Sequence, residues 1–289
     1  MTVTARRRRR QGNVMALAGT IILVAPLSAQ QMRTYEYARP AGGERRLNVV
    51  IEFAAGRLLL QPAPRGRLYG FSLDYDADRF RPIGRYDAEA GEVHLGVEGT
   101  GSGGIRIDRR RALPQQAVIE LSNDVDLTLD ASIGAAESTL DLGGLRLSAL
   151  ELKTGASRTT VTFDRPATGS CRTASVTSGA GEITVNAVGN SGCRSWRFDG
   201  GVGEVNLDLT GAWPADARMS LNMALGGVTL TAPSDLGLRV RMSGFLAGFD
   251  AKGFSKDGKT YTSSNYTSAK RHIEVEVSSA LGGVSVVWK

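Results

Sequence analysis

Apolar and polar residues alternate along most of the chain after residue 30, in runs that follow glycine. The recurring pattern is glycine, any residue, apolar, any residue, apolar, with copies at 56–60, 91–95, 143–147, 226–230 and 282–286. An alternation of period two predicts a β-strand with one buried face, and glycine supplies the positive φ of a tight corner. No run of convincing length with helical periodicity occurs after residue 30. The chain is therefore predicted to be all-β.

One long segment repeats at an offset of 22 residues: 169–186 and 191–208 share Cys, Arg, Gly, Gly, Glu and three apolar positions. Stacking such units places each strand beside its copy and joins the apolar faces into one column, which is the principle of a β-solenoid. We predict a parallel β-helix-like solenoid of about 22 residues per coil over residues 118–289. An antiparallel β-sandwich is the alternative, and it explains the glycine turns but not the copy.

The two ends of the chain are less regular than this repeat. Residues 30–117 form a smaller β region, with strands predicted at 47–53 and 68–75, a break at 62–64 and a joint at 109–114. At the other end, 253–266 is a polar loop with turn chemistry, followed by strands at 273–277 and 282–288. We expect this last segment to form a capping coil that covers the open end of the solenoid.

The first 29 residues carry the features of a secretory signal peptide. The basic run 6–10 precedes the short apolar run 14–25, and the small residue Ala29 marks the expected cleavage site. The alternative is a retained anchor, in which case 14–29 would contact the membrane. Either way the rest of the chain is exported.

Composition and charge narrow the class of protein. A chain of 289 residues that is 42% hydrophobic can bury one large core or two small ones. The five arginines at 6–10 account for most of the formal charge of +6, which leaves +1 for residues 30–289. Because aromatic residues are also few, we expect no nucleic-acid partner.

Cys171 and Cys193 occupy equivalent positions of the two repeat copies. Neighbouring strands lie ~4.8 Å apart, and a disulfide tolerates Cα separations of roughly 4.4–6.8 Å. We therefore predict a disulfide that staples two adjacent coils and stabilises them by about 3 kcal/mol. The alternative is a pair of buried free thiols. The spacing and the lack of partner ligands exclude a catalytic CxxC pair and a zinc site.

The remaining chemistry-bearing residues do not form a catalytic or metal-binding set. The two histidines, His94 and His272, lie within or beside predicted strands. The segment 74–78 has the alternating carboxylates of a calcium loop, but Arg79 and Arg85 stand where glycine and glutamate are needed. Carboxylates that could line a groove of a glycan-cleaving β-helix enzyme are Asp124, Asp126, Asp130, Asp141, Glu182 and Glu204. Such stacked charges more often mark a solvated face, so we predict no catalytic, cofactor or metal residues.

The order of several short motifs resembles a known family. The alternating strand that ends at 55–60, the motifs at 73–75 and 81–82, and the ending 265–266, 273–277 and 282–286 are similar to bacterial toast-rack proteins and the adhesin-like domain of cell-wall-active-antibiotic-response proteins. The resemblance covers most of 45–289. It implies an envelope-located β-solenoid without known catalytic residues. The membrane-bound members of the family take part in sensing envelope stress or in scaffolding the response to it. This chain has one apolar N-terminal segment in place of several membrane spans, so the resemblance does not carry a signalling role.

We expect a non-enzymatic, exported β-solenoid that acts as a scaffold or adhesin-like binding module at the bacterial cell envelope, with a protein or a glycan as partner. It would lie in the periplasm or cell envelope, membrane-anchored if the N-terminal segment is retained. One alternative is a membrane-anchored accessory subunit of a larger membrane complex, which requires that segment to be retained. A second alternative is a carbohydrate-active β-helix enzyme.

Overall fold

The structure, a computed structural model, describes residues 31–100 and 115–289, without the side chains of 245–247. The predicted signal segment 1–29 and the joint at 109–114 lie outside the described residues. The strands are β1 Met32–Pro40, β2 Arg46–Pro62, β3 Arg67–Asp76, β4 Phe80–Asp87, β5 Glu92–Gly99, β6 Gln116–Leu121, β7 Asp126–Asp141, β8 Arg146–Thr162, β9 Thr173–Asn186, β10 Ser195–Asp208, β11 Ala217–Ala232, β12 Leu236–Asp250, β13 Phe254–Asp257, β14 Thr260–Ser263 and β15 Arg271–Trp288. A 3₁₀ turn spans Val188–Ser191.

All fifteen strands belong to one sheet, most of it parallel. Its centre consists of eight parallel strands in the order β2-β7-β8-β9-β10-β11-β15-β12. Thr173 of β9 pairs with Ser195 of β10, 22 residues further on, and Ser195 pairs with Arg218 of β11. The all-β prediction is confirmed, and this parallel ladder is not that of an antiparallel sandwich.

The central strands are long, and six of the eight have a glycine with positive φ in mid-strand, whereas Ala136 of β7 and Ser157 of β8 take the register position of the corner glycine. The prediction that a glycine precedes a short strand holds at Gly91, which directly precedes β5. It is wrong for Gly181, Gly203, Gly226 and Gly282, because β9, β10, β11 and β15 are single strands of 14 to 18 residues that run through these glycines. At the bend of β10, Gly203 has φ +147°, and a Cβ there would overlap the carbonyl oxygen of Gly181 in β9. Gly181, Gly203, Gly226 and Gly282 stack in register, and we call them the corner column.

Each bent strand has a first arm before the corner and a second arm after it, and both arms bury alternate residues. In β10 the first arm buries Trp196 and Phe198, and the second arm buries Val205 and Leu207. These positions continue in register through the neighbouring coils and join into one core cluster. Each such side chain contributes about 1.5–3 kcal/mol when it is fully buried. The core therefore lies in the angle between the two arms.

The N-terminal strands close one end of this stack. The first arm of β2 pairs with β5, and its second arm pairs with β6. The sheet continues from both of these strands in antiparallel pairing. Strand β4 pairs with β5, β3 pairs with β6, and β1 pairs with β3. Since β2 also pairs in parallel with β7, the stack of coils begins before residue 118.

The C-terminal strand does not cap the other end, contrary to the expectation from sequence. Strand β15 lies between β11 and β12, paired in parallel with both. The outermost coil is β12, and the short hairpin β13–β14 covers it only at Arg239–Arg241. The polar segment 253–266 thus contributes the cap, and the strands after it fill an internal position.

Candidate functional site

The bend gives the stack two outward faces. The first-arm face carries the polar residues that alternate with the buried ones before the corner, and the second-arm face carries those after it. Because the strands are in register, equivalent residues of successive coils form rows across the strands. One such row on the first-arm face is Ser195, Arg218, Glu274 and Arg239.

A polar cleft of about 570 Å³ opens at the start of this face, where β10, β11 and β15 begin. Its lining includes Arg194, Asp216, Arg218, Tyr266, His272 and Glu274. A second cleft of about 370 Å³ shares Ser195, Arg218 and Glu274 with it and continues along the same face. Because they share these lining residues, we describe the two clefts together and call them the basic groove, after the exposed arginines around them.

Six exposed arginines lie on or beside the basic groove, although its own lining carries two arginines and three carboxylates. The exposed arginines on or beside it are Arg172, Arg194, Arg197, Arg218, Arg239 and Arg241. The carboxylates near them are Asp199, Asp216, Glu274 and Glu276. Residues 1–29 and 101–114 account for +5 and +3 of the formal charge of +6, so the described remainder is −2. The excess of positive charge is therefore local to this face.

Glu274 holds two of these arginines. Its carboxylate lies 3.4 Å from Arg218 Nε and 3.8 Å from Arg239 Nη1. The Arg239 guanidinium also lies over the Tyr266 ring, 4.2 Å from the centroid. The Arg218 side chain remains 84% exposed. An exposed ion pair of this kind contributes only about 0–1 kcal/mol.

His272 connects two of the loops that line the basic groove. Its backbone N–H donates to Asp216 Oδ1 at 3.0 Å, and its Nδ1 lies 3.4 Å from Asp216 Oδ2. The Nε2–H points to the Tyr266 carbonyl oxygen at 2.9 Å and can donate to it. The ring thus joins the loop before β11 to the loop before β15, which is a structural role.

The structure joins Cys171 and Cys193 in a disulfide with Cα atoms 4.3 Å apart. Both cysteines are 2% exposed and directly precede paired strands of adjacent coils. The bond therefore closes off the start of the first arms, next to Arg172 and Arg194.

The other histidine and the aspartates of the rejected calcium loop lie far along the chain from this groove. His94 Nε2 is 2.6 Å from Glu92 Oε1, and Arg85 Nη2 is 3.2 Å from His94 Nδ1, in the pair β4–β5. Asp76 is only 2% exposed, so the aspartates at this strand end are not all in solvent. Its carboxylate accepts the Asp78 N–H at 3.1 Å and shapes the turn between β3 and β4.

The six carboxylates of the enzyme alternative are divided between different parts of the fold. Asp126 and Asp130 lie on the first arm of β7, where Arg146 and Lys153 pair with them at 2.9 and 3.7 Å. Asp141, Glu182 and Glu204 lie on second arms, and Asp124 precedes β7. Among these, Glu182 and Glu204 are neighbours in register.

Within the ranges 31–100 and 115–289, no group of three or more His, Cys, Asp or Glu side chains is placed to hold a metal ion. The same ranges contain no helix with the length and apolar character needed to cross a membrane.

Sequence reasoning missed the arginines and Tyr266 of the basic groove. One signal was present: Arg172 and Arg194 follow the two cysteines of the repeat at the same offset. The others lie in strands and loops without a motif, and only the order of the strands brings them together.

These features define a single-sheet β-solenoid whose coils each contribute one bent strand. Residues 28–186 match the family described as the N-terminal domain of toast_rack, DUF2154. The match covers more than half of the chain, and the chain belongs to this family. No curated protein matches it.

Two solved structures illustrate the similarity of this fold to known proteins. A candidate cell adhesion protein from Clostridium sporogenes ATCC 15579 is 16% identical, with a TM-score of 0.46, and the alignment covers 89% of this chain and 100% of that one. A candidate adhesin from Bacteroides fragilis NCTC 9343 is 11% identical, with a TM-score of 0.41, covering 90% and 98%.

Proposed function

We propose that this chain is a non-enzymatic, adhesin-like module that is exported and binds a protein or glycan at the bacterial cell envelope. The observation that carries the proposal is the buried disulfide between Cys171 and Cys193, which joins two coils beneath a repetitive, groove-bearing surface. Disulfides persist in oxidising compartments and are rare in the bacterial cytosol, so a buried coil-to-coil disulfide supports export.

The outward faces support a binding role. In a stack of coils in register, a row of equivalent side chains forms an extended and rigid surface, and repeat proteins use such surfaces to bind long or large partners. The basic groove lies on one such surface and combines charged, hydroxyl and aromatic side chains. The division of the candidate carboxylates between separate arms supports the non-enzymatic part of the proposal.

Export is tested on the native protein, alkylated without reduction and weighed intact. A chain that begins at Gln30 and carries no alkyl group is the expected result. A full-length mass with two alkylated thiols would overturn export of a cleaved module and favour the anchored accessory subunit.

Binding is tested by crosslinking the protein to isolated envelope fractions and recovering it under denaturing conditions. We expect enrichment of a defined protein or glycan that disappears when excess uncrosslinked protein competes. Recovery at background level would refute the binding role. A screen for glycan depolymerisation runs beside it, and turnover that Glu182→Gln abolishes would refute the non-enzymatic assignment.

A further inference from the structure

We infer that a cleft on the second-arm face binds a linear aliphatic polyamine, with Glu204 and Asp250 holding its two end amines. The cleft has a volume of about 460 Å³ and crosses β10, β11, β15 and β12. We call it the glycine cleft, because Gly227, Gly283 and Gly248 lie side by side along its floor. It lies on the other arm from the basic groove, so ligand binding there goes beyond the proposed function and is independent of it.

Packing does not require glycine at two positions of this floor. In the corner column a Cβ at Gly226 or Gly282 would overlap a carbonyl oxygen of the neighbouring coil. A Cβ at Gly227 or Gly248 would instead meet no atom within 4 Å. Glycine inside a strand weakens the strand, and it often marks a position where a ligand approaches the backbone closely. The missing side chains leave a trough that runs across three strands.

The lining of the glycine cleft is acidic. Of the described residues that form it, two are charged, and both are carboxylates, Glu204 and Asp250. Both side chains are exposed. The uncharged polar side chains of the lining are Asn206, Thr229 and Ser285. Lys252 lies in the turn after β12 and does not belong to the lining. Charge complementarity therefore favours a cationic ligand.

Among the described residues, Glu204 and Asp250 have no ion-pair partner. Other carboxylates of the second-arm face do have one: Glu182 lies 3.4 Å from Arg158 Nε, and Asp208 lies 2.8 Å from Nζ of the C-terminal lysine. In register, Glu204 has the like-charged Glu182 on one side and a glycine on the other. Like charges that face each other across two strands are destabilising. An ammonium group bound over the glycine would relieve this repulsion.

The positions of the two carboxylates set the direction and the length of the ligand. Glu204 lies on β10 and Asp250 on β12, three strands further along the sheet. Neighbouring strands lie ~4.8 Å apart, so the two residues are separated by about 14 Å across the strands. Carboxylate oxygens bind a calcium ion at about 2.3–2.6 Å, so these two cannot share one metal ion. A chain with an ammonium group at each end can reach both.

The surface between the two carboxylates suits such a chain. Two residues before the floor glycines of β11 and β15, Leu225 and Leu281 are 44% and 46% exposed and offer apolar surface to methylene groups. On the other side of the floor, the hydroxyls of Thr229 and Ser285 can accept hydrogen bonds from inner amines. An unbranched chain fits a trough one residue wide better than a basic peptide, whose ammonium groups stand on side branches.

The test uses the full disulfide-bonded protein and measures the binding of spermine by isothermal titration calorimetry. The double variant E204Q/D250N removes both carboxylates of the cleft. The matched control E137Q/E182Q changes the net charge equally, but it removes two carboxylates of the same face that pair with arginines. G227V fills the trough without any change of charge. Thermal unfolding of all three variants checks that the fold is intact.

We expect the unmodified protein to bind spermine, and to bind putrescine at least about tenfold more weakly, because putrescine is too short to reach both carboxylates. E204Q/D250N and G227V should each weaken the binding of spermine at least about fivefold, and E137Q/E182Q by less than about twofold. The loss in G227V would separate a fitted site from a general attraction between an acidic surface and a cation.

Four results would overturn the inference: no binding of spermine, an equal loss in both double variants, unchanged binding by G227V, or equal or tighter binding of putrescine or of an acetylated tetralysine amide. The tetralysine amide carries as many amines as spermine, so its tighter binding would assign the cleft to a basic peptide. None of these results depends on the envelope crosslinking that tests the proposed function.

Discussion

Replacing Gly203 in the corner column with alanine tests whether the bend of the coils depends on glycine. Gly203 has φ +147°, a region that is essentially restricted to glycine, and the new Cβ would overlap the Gly181 carbonyl oxygen of the preceding coil. The backbone conformation costs about 1–3 kcal/mol, and the displacement of the packed coil adds about 1–3 kcal/mol. We therefore expect G203A to lower the free energy of unfolding by about 4 kcal/mol.

Gly227 provides a matched control on the next strand, β11. It lacks a positive φ, and a Cβ there would meet no atom within 4 Å. Alanine at such a site removes freedom from the unfolded chain, so G227A should stabilise the protein by about 0.5 kcal/mol. The two substitutions are chemically identical and are expected to have opposite signs.

The assay is thermal unfolding followed by circular dichroism, supported by urea titration at 25 °C. For a domain of this size each kcal/mol shifts the melting temperature by about 2–4 °C, so G203A should melt about 8–16 °C lower. A melting temperature of G203A within about 2 °C of the parent, or a loss in G227A as large as that in G203A, would refute the reasoning.

Three further predictions concern the disulfide, the core and an ion pair. The double variant C171A/C193A opens a loop of 22 residues and should lower the free energy of unfolding, measured by urea titration, by about 3 kcal/mol. Reduction of the disulfide in the parent protein should have the same effect. Trp196 is 1% exposed, and its Nε1–H has no partner among the described residues. W196A should lower the free energy of unfolding by about 3–5 kcal/mol because it leaves a cavity, whereas W196F keeps an aromatic ring and removes only the unpartnered N–H, so it should lower it by less than about 1.5 kcal/mol. Equal losses in the two variants would contradict this argument. Burial opposes ionisation of Asp208, but Lys289 Nζ at 2.8 Å and a backbone N–H outweigh it and lower the pKa of this carboxyl. The free energy of unfolding of the parent should therefore exceed that of D208N by about 0.5 kcal/mol near neutral pH. This difference should disappear as the pH falls below the ordinary aspartate pKa of about 4 and through the lowered pKa of Asp208. A difference that does not depend on pH would contradict the argument.

The central coils could be predicted from sequence because two independent signals coincide there. Alternation alone gives strands with one buried face, and the copy at 22 residues pairs each strand with its neighbour in parallel. The cysteines lie at the same offset, so their pairing follows from the register. Strand length could not be read in this way, because a glycine that bends a strand and a glycine that begins one leave the same local pattern.

The position of β15 was not predicted because strand order is a non-local property. A hint existed: 226–230 and 282–286 both read Gly-Gly-apolar-polar-apolar, and Gly226 pairs with Gly282 in the sheet. In β12 the corresponding stretch reads Ala247-Gly248-Phe249, which matches less well. The basic groove escaped prediction for the same reason, since Arg194, Arg218 and Arg239 share a surface only once the strand order is known.

The insertion of β15 has a consequence for how the molecule assembles over time. Strand β12 is synthesised before β15 but takes its parallel partner from it, and β11 likewise has β15 on its outer side. While an emerging chain can add β7 to β10 one after another, β12 must wait beside an unfilled gap until β15 has emerged. The insertion of β15 between β11 and β12 is therefore a single late step that completes the C-terminal end of the sheet. A chain shortened before Arg271 would leave both of them with unpaired edges, and such edges promote aggregation.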